Sequence, residues 1–234
     1  MDASEVDGWW RRASRWLLSP NCLICRERGS NGKDLCASCT EQLPWNRVAC
    51  TRCGLPMPAI GECGDCLTQP PALTQVRAVF VYGFPLDRLV PRFKFHRDLA
   101  AGRLMADLMV GVLASAPRPD VLVPLPLHAH RLRERGYDQA LELARPLAAA
   151  LTLPLRPDLL QRVRSTAPQS ELDASQRHRN VASAFAVPAR VVLPAHIALV
   201  DDVMTTGATL DAAARALLRG GAKRVDAWVC ARVP

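Results

Sequence analysis

From residue 76 onward, short runs of β-branched and apolar residues alternate with longer stretches in which Ala, Leu and Arg recur at helical spacing. The apolar runs at 76–82, 121–125, 197–201 and 225–229 predict strands, and the segments near 98–114, 137–150 and 208–220 predict helices. Strands alternating with helices argue for an α/β domain with a mainly parallel sheet flanked by helices. Ahead of it the pattern changes. Residues 22–66 hold eight of the nine cysteines and few large apolar residues. A segment of that size cannot build its own hydrophobic core, so something else must hold it. Gln69-Pro70-Pro71-Ala72 then reads as a linker.

Residues 1–20 carry Trp9, Trp10, Trp16, Leu17 and Leu18 with Arg11, Arg12 and Arg15 between them. This predicts a short amphipathic N-terminal helix ended by Pro20. Docking on the protein itself is favoured over a membrane-surface role. The expected domains are therefore that helix over 1–20, a cysteine-rich module over 21–69 and the α/β domain over 73–234. The stretch 161–183 is polar, cationic and poor in apolar pattern, and reads as a long loop of functional character.

Charge and compartment refine this picture. Lysine and arginine total 30 against 22 acidic residues, a formal net charge of +8. That favours anionic partners without choosing among phosphates, nucleic acid and acidic membrane surface. No run of about 18 or more apolar residues occurs, so no transmembrane segment is expected. The N-terminus, with Asp2 and Glu5, lacks a secretory signal pattern. A cytoplasmic location is the expectation, and there cysteines serve as metal ligands more readily than as disulfides.

The eight clustered cysteines form four C-x-x-C pairs, Cys22/Cys25, Cys36/Cys39, Cys50/Cys53 and Cys63/Cys66. Two thiolates at this spacing grip one tetrahedral ion from a tight turn, and two such pairs complete a closed structural zinc site. Eight ligands predict two Zn2+ ions. Sequential pairing is the simplest arrangement and interleaved pairing stays open. Four-cysteine ligation also suits an iron–sulfur cluster, which ligand type and spacing make the weaker rival. Gly54 and Gly64 are read as supplying backbone freedom to these turns. Cys230 stands alone in an apolar strand and reads as an inert core residue.

The sharpest signal is the run from Ile197 to Leu210, IALVDDVMTTGATL. A buried strand delivers Asp201 and Asp202, then a loop of small residues, then a helix from about Ala208. Such a turn presents backbone N–H groups and a helix N-terminus to an anion. Thr205, Thr206 and Thr209 add hydroxyls, and Gly207 lets the backbone close around a phosphate. Carboxylates beside an anion site make sense when the ligand also carries a diol. The glycine spacing and lysine of a nucleotide P-loop are missing, and no G-x-G-x-x-G occurs.

This run resembles the signature of type I phosphoribosyltransferases. With the cysteine pairs, Tyr82…Phe93-Lys94-Phe95, Val123-Pro-Leu-Pro-Leu-His128, Arg131…Arg135-Gly-Tyr-Asp-Gln-Ala140, Arg164-Ser-Thr-Ala-Pro-Gln169 and Arg177…Arg179-Asn180, the chain is identified as a member of the ComF/GntX family. Asp138 departs from the asparagine expected there, which puts a direct role for that position in doubt. The resemblance implies a five-stranded parallel sheet with the ligand at the strand C-terminal ends. It further implies a site for phosphoribosyl pyrophosphate (PRPP) built from Asp201, Asp202, Thr205, Thr206, Gly207, Ala208 and Thr209. Leu125 and Pro126 would meet the pyrophosphate, with Arg131, Arg133, Arg135 and Lys94 as cationic candidates and His128 and His130 near the leaving group. Residues 161–180 would be a closing loop carrying Arg164, Thr166, Gln169 and Arg177. Asp201, Asp202 and Arg164 are the catalytic candidates, and Mg2+ is expected with PRPP. The family association with natural competence adds single-stranded DNA and a DNA-uptake helicase as partners. It also leaves open a rival role as a non-catalytic competence factor or PRPP sensor. The acceptor is not legible.

Overall fold

The computed structural model of the chain describes residues 20–128, 131–133, 136–163 and 184–234. The expected N-terminal helix lies, apart from Pro20, outside the described residues. So do His130, Arg135, Arg164, Thr166, Gln169 and Arg177. The chain divides into two compact units, the boundary falling between Leu43 and Pro44.

In the first unit a turn at Cys22–Cys25 is closed by the Arg26 N–H donating to the Cys22 carbonyl, with Arg26 left-handed at φ 69°. Helix α1 (Ala37–Glu41) follows, N-capped by the Cys36 thiol, and buries none of its residues. Among the described residues of this unit the buried side chains are Cys22, Leu35 and Leu43. Three such side chains make no core, which fits a segment organised by a bound metal.

The second unit opens with the other two cysteine pairs and helix α2 (Gly64–Thr68). It continues through β1 (Gln75–Val81), α3 (Leu86–Phe95), α4 (Leu99–Leu113), β2 (Val121–Pro124) and α5 (Gln139–Leu151). A 3-10 turn at Pro157–Leu159 and the strands β3 (Gln161–Arg162) and β4 (Phe185–Ala186) come next. The chain finishes with β5 (His196–Met204), α6 (Ala208–Arg219) and β6 (Arg224–Arg232). The main sheet is parallel throughout, in the order β1-β6-β5-β2. Val76, Val123, Ile197, Leu199, Val225 and Val229 pack with Leu210, Ala213 and Leu217 of α6. Alternate residues such as Ala198, Val200 and Trp228 point to the other face, which α4 and α5 cover. Both faces are thus buried, which is why these strands read as continuous apolar runs.

Two expectations change. The sheet has four strands among the described residues, and a fifth position beside β2 is held by one parallel bridge, Leu122 to Leu155. Leu122 donates to the Pro154 carbonyl and Arg156 to that of Leu122. Pro154 has no N–H, and the 3-10 turn begins at Pro157, so the ladder cannot extend. The base of the 161–183 stretch is also ordered, because β3 and β4 pair antiparallel.

Candidate functional site

Both cysteine clusters form by sequential pairing. Cys22, Cys25, Cys36 and Cys39 bring their sulfurs within 4.8 Å of one another, and so do Cys50, Cys53, Cys63 and Cys66. All are free thiols. A tetrahedral ion with bonds of about 2.3 Å sets its sulfurs about 3.8 Å apart. The Cys25–Cys36 and Cys53–Cys63 sulfurs are separated by 3.6 Å and 3.7 Å. The clusters therefore fit one structural zinc each, and are tighter than cysteines spread over the separate irons of a cluster. Backbone N–H groups of Cys39 and Cys63 donate to the sulfurs of Cys36 and Cys50. Burial raises the Cys22 thiol, but backbone donors outweigh it and bring Cys22 down to about 6. The same opposition brings Cys50 down to about 7. Burial and neighbouring sulfurs push Cys39 and Cys66 up. A bound cation is what would hold all four thiolates together. Metal analysis should give two zinc per chain, and Cys66→Ser should give one.

Gly54 closes the third turn at φ 68°, its N–H donating to the Cys50 carbonyl. A Cβ there would meet Val76 Cγ1 at 2.9 Å. Gly64 does not play that role: it starts α2, without a positive φ.

At the C-terminal ends of β2 and β5 lies a cleft of about 270 Å³. Asp201, Asp202, Thr205, Thr206, Gly207, Ala208, Thr209, Leu125, Pro126, Lys94 and Arg131 all line it. Arg164, the third catalytic candidate, lies outside the described residues. β5 stays paired with β6 as far as Met204, carrying both carboxylates out on a rigid strand. Gly207, at φ 81°, is the N-cap of α6 and offers no side-chain cap, and the first-turn residues Ala208, Thr209 and Leu210 line the cleft, as a helix N-terminus that takes an anion requires. Thr206 Oγ1 accepts from Ala208 N at 3.4 Å.

The carboxylates are unequal. Asp202 is 4% exposed; its Oδ1 meets Lys94 Nζ at 2.9 Å and accepts from Val203 N, while its Oδ2 is buried without a partner. Asp201 Oδ1 accepts from Asp202 N. Burial first, and the adjacent Asp202 carboxylate second, push Asp201 up to about 8 against the pull of Lys94. The lysine reaches this place because Phe93 anchors α3 in the core while Phe95 stays exposed. Cys230 is fully buried on β6, and burial raises its thiol, as an inert core residue requires.

The structure adds residues that the sequence reading passed over. Gln139, 2% exposed, and Arg162 both line the cleft. Burial and the nearby Arg131 lower Arg162, which sits 5.5 Å over the Phe185 ring. Two cations crowded together mark a place for an anion. Asp138 also gains a role: Oδ1 caps α5 by accepting from Leu141 N, and Oδ2 accepts from Leu127 N in the cleft wall. Burial raises its carboxyl. Asp138→Ala should cost about 1–2 kcal/mol in thermal unfolding; Asp138→Asn should recover the cap. His128 is half-buried and Arg133 exposed.

The architecture of paired four-cysteine knuckles and a parallel sheet ending in an anion-binding turn defines a class. Residues 13–67 match the double zinc ribbon domain, and residues 138–234 match the phosphoribosyl transferase domain. The chain is 35% identical over 223 residues to the DNA utilization protein YhgH of Salmonella typhi, covering 90% of this chain and 96% of that one. It is 33% identical over 221 residues to competence protein F of Haemophilus influenzae, with the same two shares, 90% and 96%. Competence protein ComFC of Bacillus subtilis is 30% identical over 224 residues, covering 86% and 89%. The chain belongs to the ComF/GntX family. Among the described residues no helix is long and apolar enough to cross a membrane.

Proposed function

We propose that this chain binds PRPP with Mg2+ in the cleft and transfers the phosphoribosyl group, displacing pyrophosphate from ribose C1. The observation that carries the reading is one cleft lined by the carboxylate pair, the 205–209 loop and the 125–127 loop together. Amides and hydroxyls of residues 205–209 hold the 5′-phosphate, and Asp201 and Asp202 accept from the ribose hydroxyls. Leu125, Pro126, Arg131 and Arg162 face the pyrophosphate, and Lys94 pairs with Asp202 at 2.9 Å and fixes its position. The two carboxylates are oxygen donors that suit Mg2+, which would supply charge neutralisation at the departing group. The names of the relatives favour a setting in DNA utilization or competence. The second reading, for which the word competence in two of those names is the support, is a non-catalytic factor that senses PRPP and binds single-stranded DNA or a helicase. Pyrophosphate release on adding an acceptor supports the enzyme; salt-dependent DNA binding without turnover supports the second reading.

Calorimetric titration of PRPP with Mg2+ into the zinc-loaded protein should show a Kd on the order of micromolar. In an Asp201→Ala/Asp202→Ala variant it should be lost. A folded wild-type protein that takes no PRPP refutes the site.

A pH series adds an independent check. Since Asp201 is raised to about 8, the free carboxyl keeps its proton at lower pH and accepts from the diol more weakly than the carboxylate does. Affinity should climb by up to about tenfold per pH unit below 8 and level off above it. Asp201→Asn should remove that component. The folding linkage runs the other way: between 3.8 and about 8 the native state holds the extra proton, so stability falls as pH rises through that window.

A further inference from the structure

We infer that Arg232 is a positioning residue that couples the second zinc ribbon to the phosphate loop, so that the two zinc sites are functionally unequal. The inference rests on the PRPP reading for its ligand-binding arm only. Arg232 is the last residue of β6 and is 8% exposed. Its Nε donates to the carbonyl of Cys53 at 3.1 Å, inside the second four-cysteine cluster. One terminal nitrogen donates to the Met204 carbonyl at 3.5 Å and also to that of Val233. Met204 ends β5, one residue before the loop, and its carbonyl also accepts from Val233 N at 2.9 Å. One buried guanidinium thus ties a metal-ligand backbone to the residue from which the phosphate loop departs.

A second cleft, about 580 Å³, lies between the ribbon and the loop; Met204, Thr206, Gly207 and Ala208 line both clefts. The loop is therefore a single layer of chain with space on either side, and the strut bears on its root. A lysine could reach one carbonyl but not span both, because only the planar fork presents several donors in fixed directions. The ribbon end of the strut is defined only while Cys53 is held in its metal cluster. Zinc at the second site therefore selects the loop geometry that accepts a phosphate. The first cluster belongs to the other compact unit.

The test is hydrogen exchange over residues 203–210 of the full zinc-loaded chain, with PRPP·Mg2+ calorimetry alongside. The chains compared are wild type, Arg232→Met, Arg232→Lys, Cys63→Ser and Cys25→Ser. Cys63→Ser and Arg232→Met should speed loop exchange and weaken PRPP by about tenfold, a usual size for coupled sites. Arg232→Lys should fall between them and wild type, and keeps the test valid if the methionine variant does not fold. Cys25→Ser should lose one zinc and leave both readouts unchanged. Wild-type loop exchange in Cys63→Ser, or an equal effect from Cys25→Ser, overturns the coupling. Loop exchange that follows the second zinc in a protein that takes no PRPP overturns the functional reading and leaves the coupling standing.

Discussion

Removing zinc with an excess of a strong chelator should erase hydrogen-exchange protection across residues 20–43 while the parallel sheet keeps its own. Among its described residues the first unit has three buried side chains and a five-residue helix that buries none. Isolated helices of that length are unstable in water. Zinc binding in such sites contributes on the order of 10 kcal/mol, far beyond what three side chains supply. The second ribbon should respond in part. Asn46 N donates to the Val79 carbonyl, Val81 N to that of Pro44 and Val76 N to that of Thr51, and Trp45 packs on Phe80 at 4.7 Å. Residues 44–51 stay pinned to β1, and only the segment around Cys53–Cys66 should open. Unchanged protection of Cys22 and Leu23 in metal-free protein would show that something other than the metal organises the first unit.

That asymmetry was not legible in the sequence, where the four cysteine pairs look alike. Their pairing spacing is local and readable, but the attachment of the second ribbon depends on backbone hydrogen bonds to β1, which leave no residue-type signature. The strands were readable for a different reason: a parallel sheet covered on both faces needs unbroken apolar runs. The apolar pattern ends β5 at Asp201, three residues short, because a second aspartate looks like the start of a loop, whereas pairing with β6 carries the strand on to Met204. Helix α3 went unread. Leu86, Leu89, Val90 and Phe93 have helical spacing, but Pro91 in their midst reads as a break. The site motif was readable because its chemistry is contiguous in the chain. Arg162 and Gln139 were not, because their part is set by which elements flank β2 and β5 rather than by neighbours in sequence. Asp138 is intermediate: its departure from asparagine was visible, but the Leu127 amide that it serves becomes apparent only when the loop and helix meet.

Replacing Gly207 by valine should abolish PRPP binding, a loss of more than about hundredfold in affinity, while costing comparatively little in sheet stability. Two constraints act at this residue. Its φ of 81° is in the left-handed region, where a Cβ costs roughly 1–2 kcal/mol and a β-branched side chain costs more. A Cβ would also fall 2.4 Å from Met204 Cε. The methyl end of methionine is flexible and can move aside, so the clash alone is cheap. Relaxation of φ is not cheap for the ligand, because Gly207 is the N-cap of α6, and turning its peptide redirects the amides that would meet the phosphate. Each charge-assisted hydrogen bond lost to an anion is worth about 1.5–3 kcal/mol, so losing two accounts for the hundredfold. Gly207→Ala should lie between, since alanine adopts the left-handed region at lower cost than valine. Calorimetry with PRPP·Mg2+ and thermal melts of both variants separate the effects: affinity should fall in the order Gly, Ala, Val, with melts that change much less. Equal affinity for all three would mean that the 205–209 loop does not hold the phosphate, even if the carboxylates prove essential.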